Sequence, residues 1–378
     1  MVLKIEHNNL IKIIKEYYKK KISLMVYGTF GVGKSETIRQ SAKEIALSKG
    51  RKFVEWNLLS KEEKQNTFEY PEKYFCLLDV RLSSYDASDI KGLPDFKTDK
   101  ETIDWKIPFF AKFLTLKGSD GILFFDEIGL ATPLVMASCY QILYDKVVND
   151  DKISDNWLVV GATNLNSDRA YTHEIAPPLK DRCGEVELKI PSVEDWTLNF
   201  AIPNKIDSRI IGFLNFKKSA LHNVNWEDNQ KFITPRSWAR VSSLTKDIKK
   251  DWETISLLSK SAIGEGIAIE YVSFCKIQEK IKLEDLIKNP EKIEKIEDIS
   301  IKFFLVSVIS EKYNNKEVDF EKVMEISKVL DKVGNSEFVA LLWRLCSSYT
   351  QKSGNFKKDF SNSKKYDKFI IQYGKFIV

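Results

Sequence analysis

Residues 24–37 read LMVYGTFGVGKSET, and this stretch decides the fold of the chain around it. It carries the pattern G-x-x-x-x-G-K-[ST], which ends on Lys34 and Ser35. The apolar residues before the pattern predict a buried strand, and the apolar spacing over residues 34–49, closed by Gly50, predicts a helix. A glycine-rich turn between a strand and a helix directs several backbone N–H groups at one anion. The stretch therefore predicts a P-loop that binds the phosphates of a nucleotide.

The residues of this loop have separate predicted roles toward ATP and Mg²⁺. Lys34 would neutralise the β- and γ-phosphates, and the Ser35 hydroxyl would hold Mg²⁺. We expect the nucleotide to contact the loop and the first helical turn, which comprise Gly28, Thr29, Phe30, Gly31, Val32, Gly33, Lys34, Ser35 and Glu36. The alternative is a plain glycine turn with a solvated lysine, and the strand–loop–helix context argues against it.

The composition of the chain limits the classes of protein to which it can belong. The chain has 378 residues and 43% hydrophobic content, enough for two or three domains, and no apolar run approaches the roughly 20 residues of a membrane span. The N-terminus lacks the pattern of a signal peptide, so we expect a cytoplasmic protein. Five scattered cysteines and three histidines suggest neither a disulfide framework nor a zinc site. The net charge of +5 comes from interspersed charges, which makes nucleic acid possible but not indicated.

A second motif lies at residues 121–127, which read GILFFDE. This apolar run ends in two adjacent carboxylates, as a buried parallel strand does when it delivers acids to the carboxyl edge of a sheet. We expect Asp126 to bind Mg²⁺ and Glu127 to polarise the attacking water. The alternative is a strand end that caps the following helix, which Thr132 and Pro133 are predicted to start. A P-loop upstream favours the catalytic interpretation.

Two further polar residues stand next to predicted strands. Residues 157–163 (WLVVGAT) predict a buried strand that ends on Asn164, which we expect beside the two carboxylates, orienting water or contacting the γ-phosphate. Arg182 stands shortly before a short last strand at residues 186–190. The alternatives are an asparagine that starts a turn and an arginine that is only a surface cation.

The predicted strands and helices in the rest of the sequence indicate a domain boundary near residue 195. Before that point, strands are predicted at residues 52–57 and 74–82, a surface loop or short insert at 60–73, and a turn-rich loop at 83–96. A helix over residues 105–114 is favoured by the apolar spacing but opposed by Pro108. Beyond residue 191 helices dominate, and they are predicted at residues 193–200, 208–213, 235–247, 299–312, 320–333, 336–349 and 364–374.

These residues together resemble the AAA+ ATPases, and within them the MoxR-like group and the wider clade with an insert in the second helical segment. Residues 28–35 match Walker A, residues 124–127 match Walker B, and Asn164 matches the sensor-1 residue. The TPRSW at residues 234–238 matches the sensor-2 segment, with Arg236 as its arginine.

Two other segments carry the resemblance less closely. Arg182 matches the arginine-finger position, although Cys183 follows it where phenylalanine is more usual. The loop SSYDASDIKGLP, within residues 83–96, resembles the segment that many MoxR-like chains present toward a central channel. The resemblance extends over residues 20–275 and is looser beyond them.

The resemblance implies an architecture and an assembly. The fold would be an α/β P-loop AAA+ core with a parallel sheet sandwiched by helices at residues 21–194, preceded by an N-terminal helix at 1–20. A helical lid at 195–280 and a C-terminal helical region at 281–378 would follow. It also implies a ring homo-oligomer, usually a hexamer, with ATP held between subunits and Arg182 supplied by the neighbour. Glu127, Asn164 and Arg182 would be the catalytic residues, and Arg236 would contact the nucleotide.

Three functions are compatible with the sequence. The leading hypothesis is a Mg-dependent ATPase that remodels or activates a partner protein as a chaperone, with a von Willebrand factor A-type partner implied by the resemblance. The second is a DNA-dependent or restriction-type motor acting on nucleic acid, for which no aromatic and basic groove stands out. The third is a nucleotide switch without turnover, which predicts damage at Glu127, Asn164 or Arg182, and all three are intact.

Overall fold

The computed structural model describes residues 2–96, 104–168, 173, 182–224, 231–277, 281–350, 359 and 367–373. The chain divides into two compact units, Met1–Ile190 and Pro191–Val378. Among the described residues, no helix is both long and apolar enough to cross a membrane.

The first unit is built on a seven-stranded parallel sheet in the order β1-β11-β2-β10-β7-β4-β3. These strands are β1 (Leu3–Ile5), β2 (Leu24–Tyr27), β3 (Lys52–Glu55), β4 (Tyr74–Arg81), β7 (Gly121–Asp126), β10 (Trp157–Thr163) and β11 (Gly184–Leu188). Two short antiparallel pairs lie outside it, β5 (Leu93–Asp95) with β6 (Asp104–Lys106) and β8 (Val147–Val148) with β9 (Asp151–Lys152). The strand carrying the P-loop is therefore separated from the strand of the two carboxylates by β10 alone.

Six helices are described in this unit: α1 (His7–Lys20), α2 (Lys34–Ser48), α3 (Lys61–Glu69), α4 (Ala87–Lys91), α5 (Phe109–Thr115) and α6 (Pro133–Tyr144). Alternate residues of the central strands face opposite sides, as the pleat requires. On one side they pack against α1 and α2 through residues such as Ile14 and Ile38. On the other side they pack against α5 and α6 through residues such as Phe113 and Ile142. The predicted α/β P-loop core, with a parallel sheet between helices and a helical region after it, is confirmed.

Most predicted elements of the first unit are present, and two predictions were wrong. The predicted surface loop at residues 60–73 contains α3, because Ser60 and Glu63 form a reciprocal capping box that starts the helix. The helix predicted at residues 105–114 begins only at Phe109, since Pro108 occupies the position before the helix and residues 104–106 form β6 instead. The edge strand β1 was not predicted, because three residues carry too little periodicity.

The turn-rich segment at residues 83–96 is more ordered than a loop. It contains α4 and the strand β5, which pairs with β6 as a hairpin and places Leu93 opposite Lys106. Gly92 joins the two elements at φ +91°, and a Cβ there would lie 2.1 Å from the Lys106 carbonyl oxygen, so only glycine fits. Ile90 is fully buried whereas Leu93 is 62% exposed. Ile90 therefore belongs to the core, and Leu93 faces solvent.

Most described residues of the second unit are helical, and Asn223 and Ile233 form an isolated antiparallel bridge. Its helical segments are Val193–Trp196, Thr197–Ala201, Ser208–Phe216, Lys218–Ala220, Pro235–Thr245, Trp252–Ile263, Glu265–Cys275, Leu283–Lys288, Pro290–Lys295, Ile299–Asn314, Phe320–Lys332, Ser336–Thr350 and Asp367–Tyr373. The helices predicted beyond residue 191 are confirmed, although residues 364–366 and 374 of the last one lie outside the described residues. A continuous hydrophobic core extends from Val193 to Tyr373.

Candidate nucleotide site

The P-loop is the turn between β2 and α2, and its geometry suits an anion. Gly33 stands immediately before α2 with φ +101°, a left-handed conformation that L side chains rarely adopt. Its carbonyl oxygen accepts the first helical bond, from Thr37 N at 2.9 Å. The leading N–H groups of a helix have no partner within the helix and carry partial positive charge. Helix α2 thus begins where a phosphate group would meet backbone N–H groups that carry partial positive charge.

Lys34 lies folded back over this turn and is buried. Its Nζ donates hydrogen bonds to the carbonyl oxygens of Gly28 at 2.6 Å and Thr29 at 3.1 Å. It also donates to Asn164 Oδ1 at 2.9 Å, across from the end of β10. The structure therefore brings Asn164 into direct contact with the P-loop lysine. This contact places the end of β10 beside the first turn of α2.

Ser35 and Asp126 form the second link between α2 and the sheet. The Ser35 hydroxyl donates to Asp126 Oδ2 at 2.9 Å, so the two predicted magnesium ligands already touch. Both offer hard oxygen atoms, which Mg²⁺ prefers. In the described part of the chain, no three or more acidic, histidine or cysteine side chains are grouped so as to hold a metal unaided. This donor set fits Mg²⁺ bound by one carboxylate, one hydroxyl and the phosphates of a nucleotide.

Glu127 is held in a specific conformation next to Asp126. Its backbone has φ +57°, which is uncommon for a residue with a side chain and concentrates at functional sites. The Ser83 hydroxyl, just beyond β4, donates to Glu127 Oε2 at 2.8 Å. The predicted general base is thus anchored to the segment that leads into the β5–β6 hairpin. Sequence reasoning missed Ser83, because 44 residues separate the pair.

A further carboxyl group, on Asp79, lies on the neighbouring strand β4. The register pairs Asp79 with Phe124 and Arg81 with Asp126, so Asp79 and Asp126 share one face of the sheet. Asp79 Oδ1 is buried and has no hydrogen-bond partner within the described residues. Burial, and secondly the charge of Asp126, raises the pKa of Asp79 to about 6. The only sequence signal was an aspartate interrupting the apolar run YFCLLDVRL.

We predict that Asp79→Asn stabilises the nucleotide-free protein above about pH 6. The folded state binds the Asp79 proton more tightly than the unfolded state, whose pKa is near 3.8. The carboxyl group therefore favours folding below about pH 4 and loses that contribution as the pH rises through about 6. Because Asn does not ionise, the variant should melt roughly 2–4 °C higher at neutral pH, about 1 kcal/mol after allowance for solvent screening.

Melting temperatures of both proteins between pH 4 and 8 would check this prediction. The difference should shrink toward zero at the acid end. A variant that melts lower than the wild-type protein at every pH would show that the Asp79 carboxyl holds the structure together instead.

The two predicted arginines, Arg182 and Arg236, are both exposed. Arg182 is exposed just before β11, and its guanidinium carbon lies 5.3 Å from the centre of the Tyr144 ring. Arg236 is exposed in the first turn of the helix Pro235–Thr245, in the second unit. Thr234 caps that helix in a capping box with Ser237, which fixes where the helix begins. The roles of both arginines stay predictions.

Comparisons with known proteins give only distant similarity. No family model matches the chain, and no curated protein matches it. Among solved structures, a mutant of Thermotoga maritima RuvB is 16% identical, with a TM-score of 0.35 over 85% of this chain and 88% of that one. The Aeropyrum pernix ORC2 protein is 12% identical, with a TM-score of 0.35 over 91% and 93%. C. elegans PCH-2 is 12% identical, with a TM-score of 0.31 over 71% and 68%. Such partial superpositions carry no argument about function.

Proposed function

We propose that this chain is an ATPase of the AAA+ type, in the MoxR-like group, which uses hydrolysis of Mg-ATP to remodel a partner protein. One observation carries the proposal. The first turn of α2 is bonded to two strand ends at once, through Lys34 to Asn164 and through Ser35 to Asp126. Glu127 follows Asp126 directly, so the lysine proposed to bind phosphate, the proposed magnesium ligands and the proposed general base lie at one edge of the sheet.

Each residue then has a defined task in hydrolysis. Lys34 exchanges its carbonyl partners for the β- and γ-phosphates, while Ser35 and Asp126 supply oxygen ligands for Mg²⁺. When bound, Mg²⁺ neutralises charge that develops on the phosphates. Glu127 accepts a proton from the attacking water.

Two further residues complete the proposed site. Asn164 orients the water or the γ-phosphate once Lys34 releases its side chain. Arg236, on the helix Pro235–Thr245, is proposed to contact the nucleotide.

The proposal includes a ring of identical subunits. Arg182 is exposed and so is available to a neighbouring subunit, where it would act as an arginine finger on the γ-phosphate. Such a finger contributes roughly 10³- to 10⁵-fold in rate. We propose a hexameric cytoplasmic assembly, with a lid at residues 195–280 and a C-terminal helical region at 281–378.

The β5–β6 hairpin favours a protein client over nucleic acid. Leu93 at its start is 62% exposed, and Phe96 and Trp105 are 72% and 38% exposed. The register places Trp105 opposite Pro94 and Leu93 opposite Lys106, so apolar side chains are exposed on both faces of the hairpin. Exposed apolar side chains of this kind suit contact with protein. In the two described strands of the hairpin, the basic side chain of Lys106 pairs with Asp95 at 3.0 Å. Nucleic acid would call for unpaired basic groups, so a client protein, such as one with a von Willebrand factor A-type domain, is preferred.

We predict that Leu93→Ala uncouples client handling from ATP hydrolysis. Because Leu93 lies outside the core, the variant should melt within about 2 °C of the wild-type protein and keep its basal ATPase rate. Introduced into a Glu127→Gln background, which should retain bound clients, it should reduce client recovery in a pull-down several-fold. Leu47→Ala is the matched control, since Leu47 is 82% exposed on α2 and outside the hairpin.

Two results would contradict this prediction. Undiminished client recovery with Leu93→Ala would remove the hairpin from the client site. Stimulation of the ATPase by single- or double-stranded DNA, unaffected by Leu93→Ala, would favour the nucleic-acid motor instead.

A further inference from the structure

His7 touches the P-loop from outside the motif. Strand β1 pairs with β11, placing Ile5 beside Leu188, and the chain then turns to start α1 at His7. This path brings His7 Nε2 within 2.7 Å of the Val32 carbonyl oxygen. A carbonyl oxygen only accepts hydrogen bonds, so Nε2 carries the proton and donates it. The contact spans 25 residues and joins the N-terminal segment to the phosphate-binding turn.

The hydrogen bond from His7 holds the peptide unit between Val32 and Gly33. A trans peptide is planar, and its C=O and N–H point in opposite directions. With the Val32 carbonyl held toward α1, the N–H of Gly33 is directed away from α1. Gly33 immediately precedes Lys34, where the P-loop offers N–H groups to a phosphate. Glycine tolerates both signs of φ, so nothing in Gly33 itself prevents this peptide from flipping.

We propose that His7 is a positioning residue of the phosphate site, which fixes the Val32–Gly33 peptide so that the Gly33 N–H faces the nucleotide. The inference rests on the proposed nucleotide-binding function. The edge strand β1 supports this arrangement, because its pairing with β11 fixes the chain just before His7. The close approach supports it, because a Cβ on Gly33 would lie 3.4 Å from His7 Nε2.

Two amide variants that differ by one methylene group separate positioning from folding. The Gln amide nitrogen extends about as far as histidine Nε2 and can donate to the Val32 carbonyl, whereas the Asn amide is too short. His7→Asn should weaken Mg-ADP binding roughly 10- to 100-fold, the range expected when a donor to a charged phosphate is no longer held in place. His7→Gln should bind Mg-ADP within about threefold of the wild-type protein. Calorimetry with Mg-ADP and melting temperatures of the nucleotide-free proteins provide the readouts.

Each outcome decides the question. Weaker Mg-ADP binding in His7→Asn, rescue in His7→Gln and similar melting temperatures in both would support the inference. Equal Mg-ADP affinity in all three proteins would overturn it while leaving the nucleotide site in place. Equal weakening in both variants together with lower melting temperatures would show that His7 is only structural. A wild-type protein that binds no Mg-ADP would overturn the proposed function as well.

Discussion

Lys34→Ala is expected to abolish measurable binding of Mg-ATP. In the proposed function, the Lys34 ammonium is the side-chain charge directed at the phosphates, and charge-assisted hydrogen bonds contribute about 1.5–3 kcal/mol each. Losing two such bonds should weaken binding by at least roughly 100-fold. The change also leaves the carbonyl groups of Gly28 and Thr29 without their partner, so the melting temperature must be measured beside the affinity. Calorimetric titration with Mg-ATP gives the affinity directly.

Lys43→Ala is the matched control for this experiment. Lys43 lies on the same helix, is exposed, and carries the same charge. Its removal should leave Mg-ATP affinity nearly unchanged. Near-native affinity in Lys34→Ala, or an equal loss in both variants, would contradict the assignment of Lys34 to the phosphates.

Glu127→Gln should retain nucleotide binding and lose turnover by roughly 10²- to 10⁴-fold, the usual contribution of a general base. The Gln side chain keeps the shape of Glu127, and its amide oxygen still accepts the Ser83 hydroxyl hydrogen bond. It cannot accept a proton from water, so only the chemical step suffers. Phosphate release measured beside calorimetric affinity separates the two effects.

Glu55→Gln serves as the control for removing a carboxylate. Glu55 ends β3 at the same edge of the sheet, where it pairs with Arg39 at 3.0 Å. The change should affect neither binding nor turnover. A Glu127→Gln protein that loses affinity as much as activity would show that Glu127 is a structural carboxylate.

The parts of the site that sequence could predict are those with local signals. A buried strand followed by a glycine turn and a helix is recognisable within 14 residues, and residues 24–37 fold that way. Runs such as 121–127 and 157–163 are apolar because both faces of a parallel sheet are covered. Their polar final residues were therefore predicted at the carboxyl edge of the sheet.

Contacts that depend on the order of strands in the sheet could not be predicted from the sequence. The hydrogen bond from Lys34 to Asn164 forms because β10 pairs with β2 on one side and β7 on the other. No local pattern specifies that order. The contacts of His7 with Val32 and of Ser83 with Glu127 depend on it in the same way.

Segments with competing local signals were predicted less well. The capping box at Ser60 and Glu63 was present in the sequence, but the helix it starts is so polar that the apolar periodicity predicted a loop. Within residues 83–96, Leu93 follows Ile90 by three positions, a spacing that helical periodicity would place on one face. The left-handed turn at Gly92 ends α4 between them, so one side chain is buried and the other exposed.

The central claim is that this site hydrolyses ATP, and one measurement tests it most directly. Phosphate release from ATP would be followed with excess Mg²⁺ at protein concentrations where the chain assembles, for the wild-type protein and Glu127→Gln side by side. We predict steady release by the wild-type protein and release at least roughly 100-fold slower by Glu127→Gln, with both binding the nucleotide. Equal rates in the two proteins, or no release above that of Lys34→Ala, would contradict the account.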